Sequence, residues 1–484
     1  MSAKRLSILE ISIWIILLVF VLLALSPYAI GYKAKSDYVN LINQLSKISQ
    51  LDLQVSKYSQ GFFSSQASLV LNLPDYPNPI LFKEEIVHGP IYLGLISQGK
   101  SPLIAAVIKG ELDIEAAHFK KNRYIISGVS PLLYQHLIDF NGDVNSQVYV
   151  PAINTQIQEG IESVHLESSG AIYTQFLSSA NGHVKGEMTA PMLKMQKTHF
   201  GMRLEESVIS FSGRIGNNQL LIGDTVISVG SINIDSAEEQ FAVRKLILHS
   251  ITSEEGELIS SGSQVSAREI LASNQKFGPI ALNFSFNGLN ANDFLRIRKM
   301  KIALDSQLKQ GVPAETINSM MLTQMMEIMP SLIKQAEVNI NPLSINSELG
   351  KLEADMEFKL DDIDTNVSMD PLLLLKAINF ELNMSIDEPL MKKLIAWNLD
   401  NFPENHGSTK IGNVLNVSGN ESMSRKVNDN LKAMLGENWL VKNEGVYLSK
   451  ISMHQGELLI NDTQLDAMQQ IRSSVNDDTE VLLH

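Results

Sequence analysis

The chain opens on an apolar run and then changes its hydrophobic period. From Ile11 to Ile30 no residue is charged, and Ile, Leu and Val dominate. A helix rising about 1.5 Å per residue makes this run about 30 Å long, the thickness of a bilayer's hydrocarbon core. Lys4 and Arg5 precede it, so the pattern predicts a single-pass anchor at 11–30. Residues 1–10 would stay in the cytoplasm and everything after Gly31 would be exported. Trp14 and Tyr28 lie near the two ends as interfacial anchors. A cleaved signal peptide is the rival reading. Its apolar core is usually about 7–15 residues long, and here Pro27 follows the best small-residue site, Ala24-Leu25-Ser26. Length and proline both favour the uncleaved anchor.

Tyr38, Leu41, Ile42, Leu45 and Ile48 then recur at helical spacing. From Leu51 the period switches to two. Leu51, Leu53 and Val55 alternate with polar residues, and Ala67, Leu69, Leu71 and Leu73 do so after Gly61-Phe62-Phe63-Ser64-Ser65. Alternating runs separated by Asn-Gly and Gly-Asn turn chemistry continue to about 290, among them Val164–Phe176, Lys245–Thr252 and Ala281–Phe286. Such alternation buries one face and wets the other, which predicts antiparallel pairing. Between 291 and 336 the period is helical again, with Gly311 and Pro313 separating two helices. The second carries Met320, Met321, Met325, Met326 and Met329 before Pro330. Leu352 to Leu360 alternates once more, helices follow around Pro389–Asn401 and Ser422–Leu435, and a hairpin closes at Glu457–Ile460.

The pattern thus predicts a strand-dominated α+β chain built on one long antiparallel sheet, open or curled, after the transmembrane helix. Its expected divisions are a β-rich domain at 33–290, a helical hairpin at 291–336, an α+β part at 337–470 and an acidic tail at 471–484. No glycine-rich strand-to-helix junction of nucleotide-binding type occurs.

Composition narrows the chemistry. The chain has 484 residues, 44% hydrophobic and 19% charged, with a net charge of −14. That balance fits a folded protein and gives no basic face for nucleic acid. Cysteine is absent, which excludes disulfides, thiolate metal sites and a cysteine nucleophile. The ten histidines include no pair three or four residues apart, so no helical metal pair is expected. There is no Gly-x-Ser-x-Gly elbow, and Ser331-Leu332-Ile333-Lys334 lacks a downstream Lys-Thr-Gly. Asp361-Asp362-Asp364 lacks the glycine and terminal Glu of a calcium loop. No catalytic residue, cofactor site or metal site is therefore assigned.

What remains is a set of candidate surfaces. His88 sits in Val87-His88-Gly89-Pro90, where it is either a site residue or a strand-end imidazole bonded to backbone. Phe62 and Phe63 read as neighbours on a strand, which predicts that at most one ring faces a given core. Met321, Met325 and Met329 lie on the methionine helix, which reads either as an adaptable apolar groove or as a core-packing or dimer-packing face.

Several landmarks occur together in one known family. The apolar span, Gly61-Phe62-Phe63-Ser64-Ser65, Val87-His88-Gly89-Pro90, Met329-Pro330-Ser331-Leu332, Ile340-Asn341-Pro342-Leu343-Ser344 and Gly456-Glu457-Leu458-Leu459-Ile460-Asn461 follow one another in order. In this the chain resembles the YdgA-like bacterial proteins. The resemblance implies a protein of the inner membrane with its bulk in the periplasm, assembled as a homodimer, with no activity to carry over. Three functions follow as expectations. The default is non-catalytic binding or scaffolding of an envelope protein. The alternatives are a carrier of lipid or another apolar ligand, and a hydrolase of envelope material.

Overall fold

The computed structural model describes residues 52–465 except 74–78, 114–129, 160–161, 218–219, 237–239, 273–274, 310–311, 333, 361–375 and 402–420. Before these it describes 26–28, 30–32, 35–36, 38–40, 42–43 and 46, all helical. Most of the expected span, the segment 1–10, the tail 471–484 and Asp361-Asp362-Asp364 lie outside the described residues. No described helix is long and apolar enough to cross a membrane. The chain forms two compact units, 1–198 with 207–215 and 199–206 with 216–484. The division between them falls within β11 (Phe200–Ile215).

The first unit is an antiparallel meander. It runs through β1 (Asp52–Gln60), β2 (Ser64–Asn72), β3 (Ile80–His88), β4 (Ala106–Leu112), β5 (Leu133–Ile138) and β6 (Val144–Val150). Each pairs with the next. β7 (Ile153–Glu159), β8 (Glu162–Ser168), β9 (Ala171–Leu177) and β10 (His183–Lys197) continue it. Val144 faces Leu177 and Ile153 faces Ser168, so β6–β9 and β7–β8 share one register. β10 pairs β9 from Val184 and β8 as far as Gln196, again in one register. β6/β7 and β8/β9 are therefore two long strands, broken at Pro151-Ala152 and Ser169-Gly170. Those registers place Pro151, Gly170 and Pro191 in one line across three strands. Proline has no N–H for the ladder, and Gly170, at φ +92°, leaves space that a Cβ would take within 2.6 Å of the Val150 carbonyl oxygen.

Alternation decides which face is buried. On β3, Glu84, Ile86 and His88 point inward while Lys83 and Glu85 are exposed. Tyr38 and Ile42 of the N-terminal helical residues pack on Ala67, Leu69, Ile86 and Ile108. On the opposite face a 3-10 turn at Leu93–Gln98 places Leu95 against Ile104, Val107 and Leu137.

The second unit repeats the meander with longer strands: β12 (Leu221–Ser236), β13 (Gln240–Glu255), β14 (Leu258–Ala272) and β15 (Gln275–Asn290). Helices α1 (Ala291–Lys309) and α2 (Ala314–Leu332) interrupt it before β16 (Glu337–Ser347), β17 (Gly350–Leu360) and β18 (Ile378–Asp387). Then come α3 (Glu388–Asn401), α4 (Glu421–Gly436), β19 (Val441–Asn443), β20 (Val446–His454), β21 (Glu457–Ile460) and β22 (Thr463–Leu465). All described pairings in both units are antiparallel, and neither sheet closes on itself. The expected strand-dominated, open antiparallel architecture is thus observed.

Three local expectations change. The run Lys245–Thr252 is the middle of a 16-residue strand, whose C-terminal end carries Ser253-Glu254-Glu255 and so loses the apolar signal. β10 runs on through Pro191, which breaks its apolar alternation, and α2 runs past Pro330 to Leu332.

Helices cover the two ends of the second sheet. Leu390, Met391 and Ala396 of α3 with Val427 and Leu431 of α4 bury Ile386 and Tyr447. At the opposite strand ends, Met300, Leu304, Ile317, Ile328 and Leu332 of the α1–α2 pair enclose Leu289. Leu390, 1% exposed, lies at the centre of the first cluster. Leu390→Ala is expected to remove about 2–5 kcal/mol of stability in urea unfolding, while Leu394→Ala, at a side chain 38% exposed, stays close to wild type.

Candidate functional site

Four places combine chemistry with position. The first is a buried carboxylate. Register lines up Tyr58, Ala67, Glu84, Gly110 and Tyr134 across β1 to β5. Because Gly110 has no side chain, the Tyr134 ring lies across it, in space a Cβ would occupy. Its hydroxyl thereby reaches over one strand to donate to Glu84 Oε1 at 2.5 Å. Tyr38 donates to Oε2 from the helical segment above. Burial pushes the Glu84 pKa up, and the two phenol donors oppose that shift. Burial and the neighbouring Glu84 charge both push Tyr38 and Tyr134 up. Alongside, Tyr134 tilts on His136 at 5.2 Å, and burial pushes that imidazole down to about 4 while Nδ1 meets Ser146 Oγ at 2.8 Å.

The second place gathers three of the sequence candidates, His88, Phe62 and Phe63. His88 Nδ1 is 3.2 Å from the Phe62 carbonyl oxygen, and Nε2 is 2.9 Å from Ser65 Oγ. A carbonyl oxygen can only accept, so Nδ1 carries the proton and Nε2 accepts from the serine hydroxyl. The arrangement pairs a serine with an imidazole base, but both groups are enclosed. Ser65 and His88 are 1% and 3% exposed. The backbone N–H groups of Gly61, His88 and Gly89 are all bonded to carbonyls, which leaves none of them to hold an oxyanion. The imidazole ties the end of β3 to the β1–β2 turn, with Gly31 packed on its ring. Phe62 stacks on Tyr28 at 5.8 Å and meets Phe63 edge-on at 4.7 Å. Both rings stay substantially exposed, at 41% and 65%.

The third place is an open groove of about 890 Å³ on the face of the first sheet opposite Glu84. Its floor is polar. Gln66, Glu85, Lys109, Gln135 and Gln147 form one cross-strand row, and Ser68, Lys83, Glu111, Leu133 and Tyr149 form the next. Lysine and glutamate stand opposite each other in both rows, so the groove is close to neutral.

The fourth is the face of the second sheet between its helical ends. Val265, Leu282, Leu343, Ala354 and Met384 are directly opposed across five strands. Phe284, Ile340, Met356, Leu382 and Ile451 form the next row. Phe286, Val338, Phe358, Phe380 and Met453 form a third. Nearly all of these are half-buried. The reverse face is polar, with Asn283, Asn339, Asp355 and Asn383.

The methionine helix does not reach these rows as one stripe. Met320 and Met325 pack inward against α1, whereas Met321 is 45% exposed. The Met329 side chain lies outside the described residues. Among the described residues no cluster of His, Asp and Glu could hold a metal ion.

Residues 8–467 match the family described as bacterial protein of unknown function (DUF945). The chain belongs to that family. The DUF945 match takes in all four places and the landmarks from Gly61 to Asn461. No curated protein and no solved structure matches the chain.

Glu84, Tyr38 and Tyr134 were not among the candidates read from the sequence of this DUF945 protein. The signal was half present: Phe82, Glu84, Ile86 and His88 share one parity, which puts a carboxylate on the apolar face. The tyrosines, 46 and 50 residues away, become partners only through register. Glu84 also sets a pH dependence. An acid whose folded pKa is raised stabilises the fold at low pH and loses that contribution as pH rises from about 4.5, the ordinary carboxylate value, through the folded pKa. Wild type should therefore lose more stability than Glu84→Gln across that window. Melting temperatures of the two proteins between pH 4 and pH 8 check this.

Proposed function

We propose that this protein is an envelope protein, tethered by its N-terminal segment, that works by binding and breaks no bonds. Its best-supported ligand is apolar, an acyl chain laid along the second unit's sheet. One observation carries this: three adjoining rows of apolar side chains cross five strands each, half-buried, between helices that cover the sheet's ends. A sheet face of this kind must be buried against something. Among the described residues no buried cluster forms over its middle. At about 4.8 Å per strand a row across five strands is roughly 19 Å long, comparable with an extended acyl chain.

A second reading has its own observation. The neutral, amide-rich groove of the first unit is shaped for a polar partner such as another envelope protein, which is the scaffolding role. The hydrolase reading has the least support, since the Ser65–His88 pair is enclosed and the N–H groups of Gly61, His88 and Gly89 beside it are already bonded.

The acyl reading is tested with a photoactivatable fatty acid added to membranes that contain the full chain. Adducts are expected on peptides from β15 to β18, and Met356→Asp with Leu382→Asp should abolish most of them, because two opposed carboxylates in the middle apolar row make desolvation by an acyl chain costly. Adducts confined to the N-terminal segment overturn the reading.

A further inference from the structure

The first unit has one apolar end. Its strands alternate in direction, so the β1–β2 turn at 61–63, the β3–β4 connection at 89–105 and the β5–β6 turn at 139–143 all leave the same edge. Backbone bonds confirm their adjacency. His88 N–H donates to Phe63 O, Gly89 N–H to Ala105 O and Ala105 N–H to Ile138 O. Among the described residues of this unit, nine of the thirteen exposed large apolar side chains lie at this end. Phe63, Leu93, Ile96, Leu103 and Phe140 are each 58–69% exposed. Surface apolar residues scattered singly need no explanation, but a concentration on adjoining loops does.

The position of the N-terminal segment says what covers it. Tyr28 stacks on Phe62, and Gly31 rests on His88, so the chain arrives from 11–30 at this same end. The twenty uncharged residues Ile11–Ile30 are long enough to span a bilayer, and the apolar loops stand where that helix would leave the lipid. Tyr28 and Tyr32, 56% and 75% exposed, are of the type that sits at headgroup level.

We propose that this end of the first unit is a membrane-contact surface. Phe63, Leu93, Ile96, Leu103 and Phe140 would enter the headgroup and upper acyl region of the bilayer that holds the anchor, to a depth of about 5–10 Å. The surface fixes the sheet upright on the membrane, where a bare tether would leave it free to swing. The inference rests on the anchor reading.

The absence of cysteine makes the test direct. Phe63→Cys, Leu93→Cys and Phe140→Cys in the full chain each provide a single attachment site for an environment-sensitive fluorophore. Asp52→Cys, at the opposite end of β1, is the reference. In phosphatidylcholine–phosphatidylglycerol vesicles with spin-labelled lipids, the first three labels should shift to the blue and lose intensity, and the label at 52 should do neither. Four labels behaving alike in a chain retained on the vesicles after alkaline washing overturn the contact surface and leave the anchor standing. A chain released by the wash with no quenching at any site overturns both.

Discussion

Everything in this fold follows from the two-residue period of its strands. A sheet whose alternate residues are apolar has one face that water disfavours, at about 25 cal/mol for each Å² left wet. Each unit meets that constraint in its own way. The first covers the face with Tyr38 and Ile42 of the N-terminal helical residues. The second spreads the face over longer strands and places its helix pairs at the strand ends. The strip between them is lined, among the described residues, by apolar side chains from β14 to β20.

The polar groups beneath the N-terminal helical residues are costly to bury and are placed with care. Glu84 receives two phenol hydroxyls, and Ser65 and His88 satisfy each other with the help of the Phe62 carbonyl. A buried polar group without partners would cost more than these gain. Such networks accept few alternative arrangements, so they fix where Tyr38 docks on the sheet. They thereby link the helical residues around Tyr38 to the strand ends that carry the exposed rings.

Much of the architecture was legible in the sequence, because periodicity reports local geometry. The alternation at Leu352–Leu360, the separation of α1 from α2 at Gly311 and Pro313, and the closing hairpin were all readable from neighbouring residues. The candidate places were legible in part. His88, Phe62 and Phe63 were named singly, and only the pairing of β2 with β3 shows that they touch. Glu84 was hidden because its partners lie in distant stretches. Met321 and Met325 share helical spacing, yet α1 covers one and leaves the other open. The three apolar rows needed registers across β14 to β20, and irregularities at Ile259/Ser261, Phe277/Ile280, Leu282/Phe284 and Ile340/Leu343 shift those registers in ways no spacing rule reveals.

The line through Pro151, Gly170 and Pro191 has a consequence for how the chain finds its native pairing. Hairpins of alternating residues can slide by two positions and keep every apolar side chain on the correct face. Here such a slide would move the prolines away from each other and set them against amides that need a carbonyl partner. It would also bring a side chain to the spot where only Gly170 fits. The crease therefore works as a key. It lets three long strands assemble in one alignment and penalises neighbours that period two alone would tolerate.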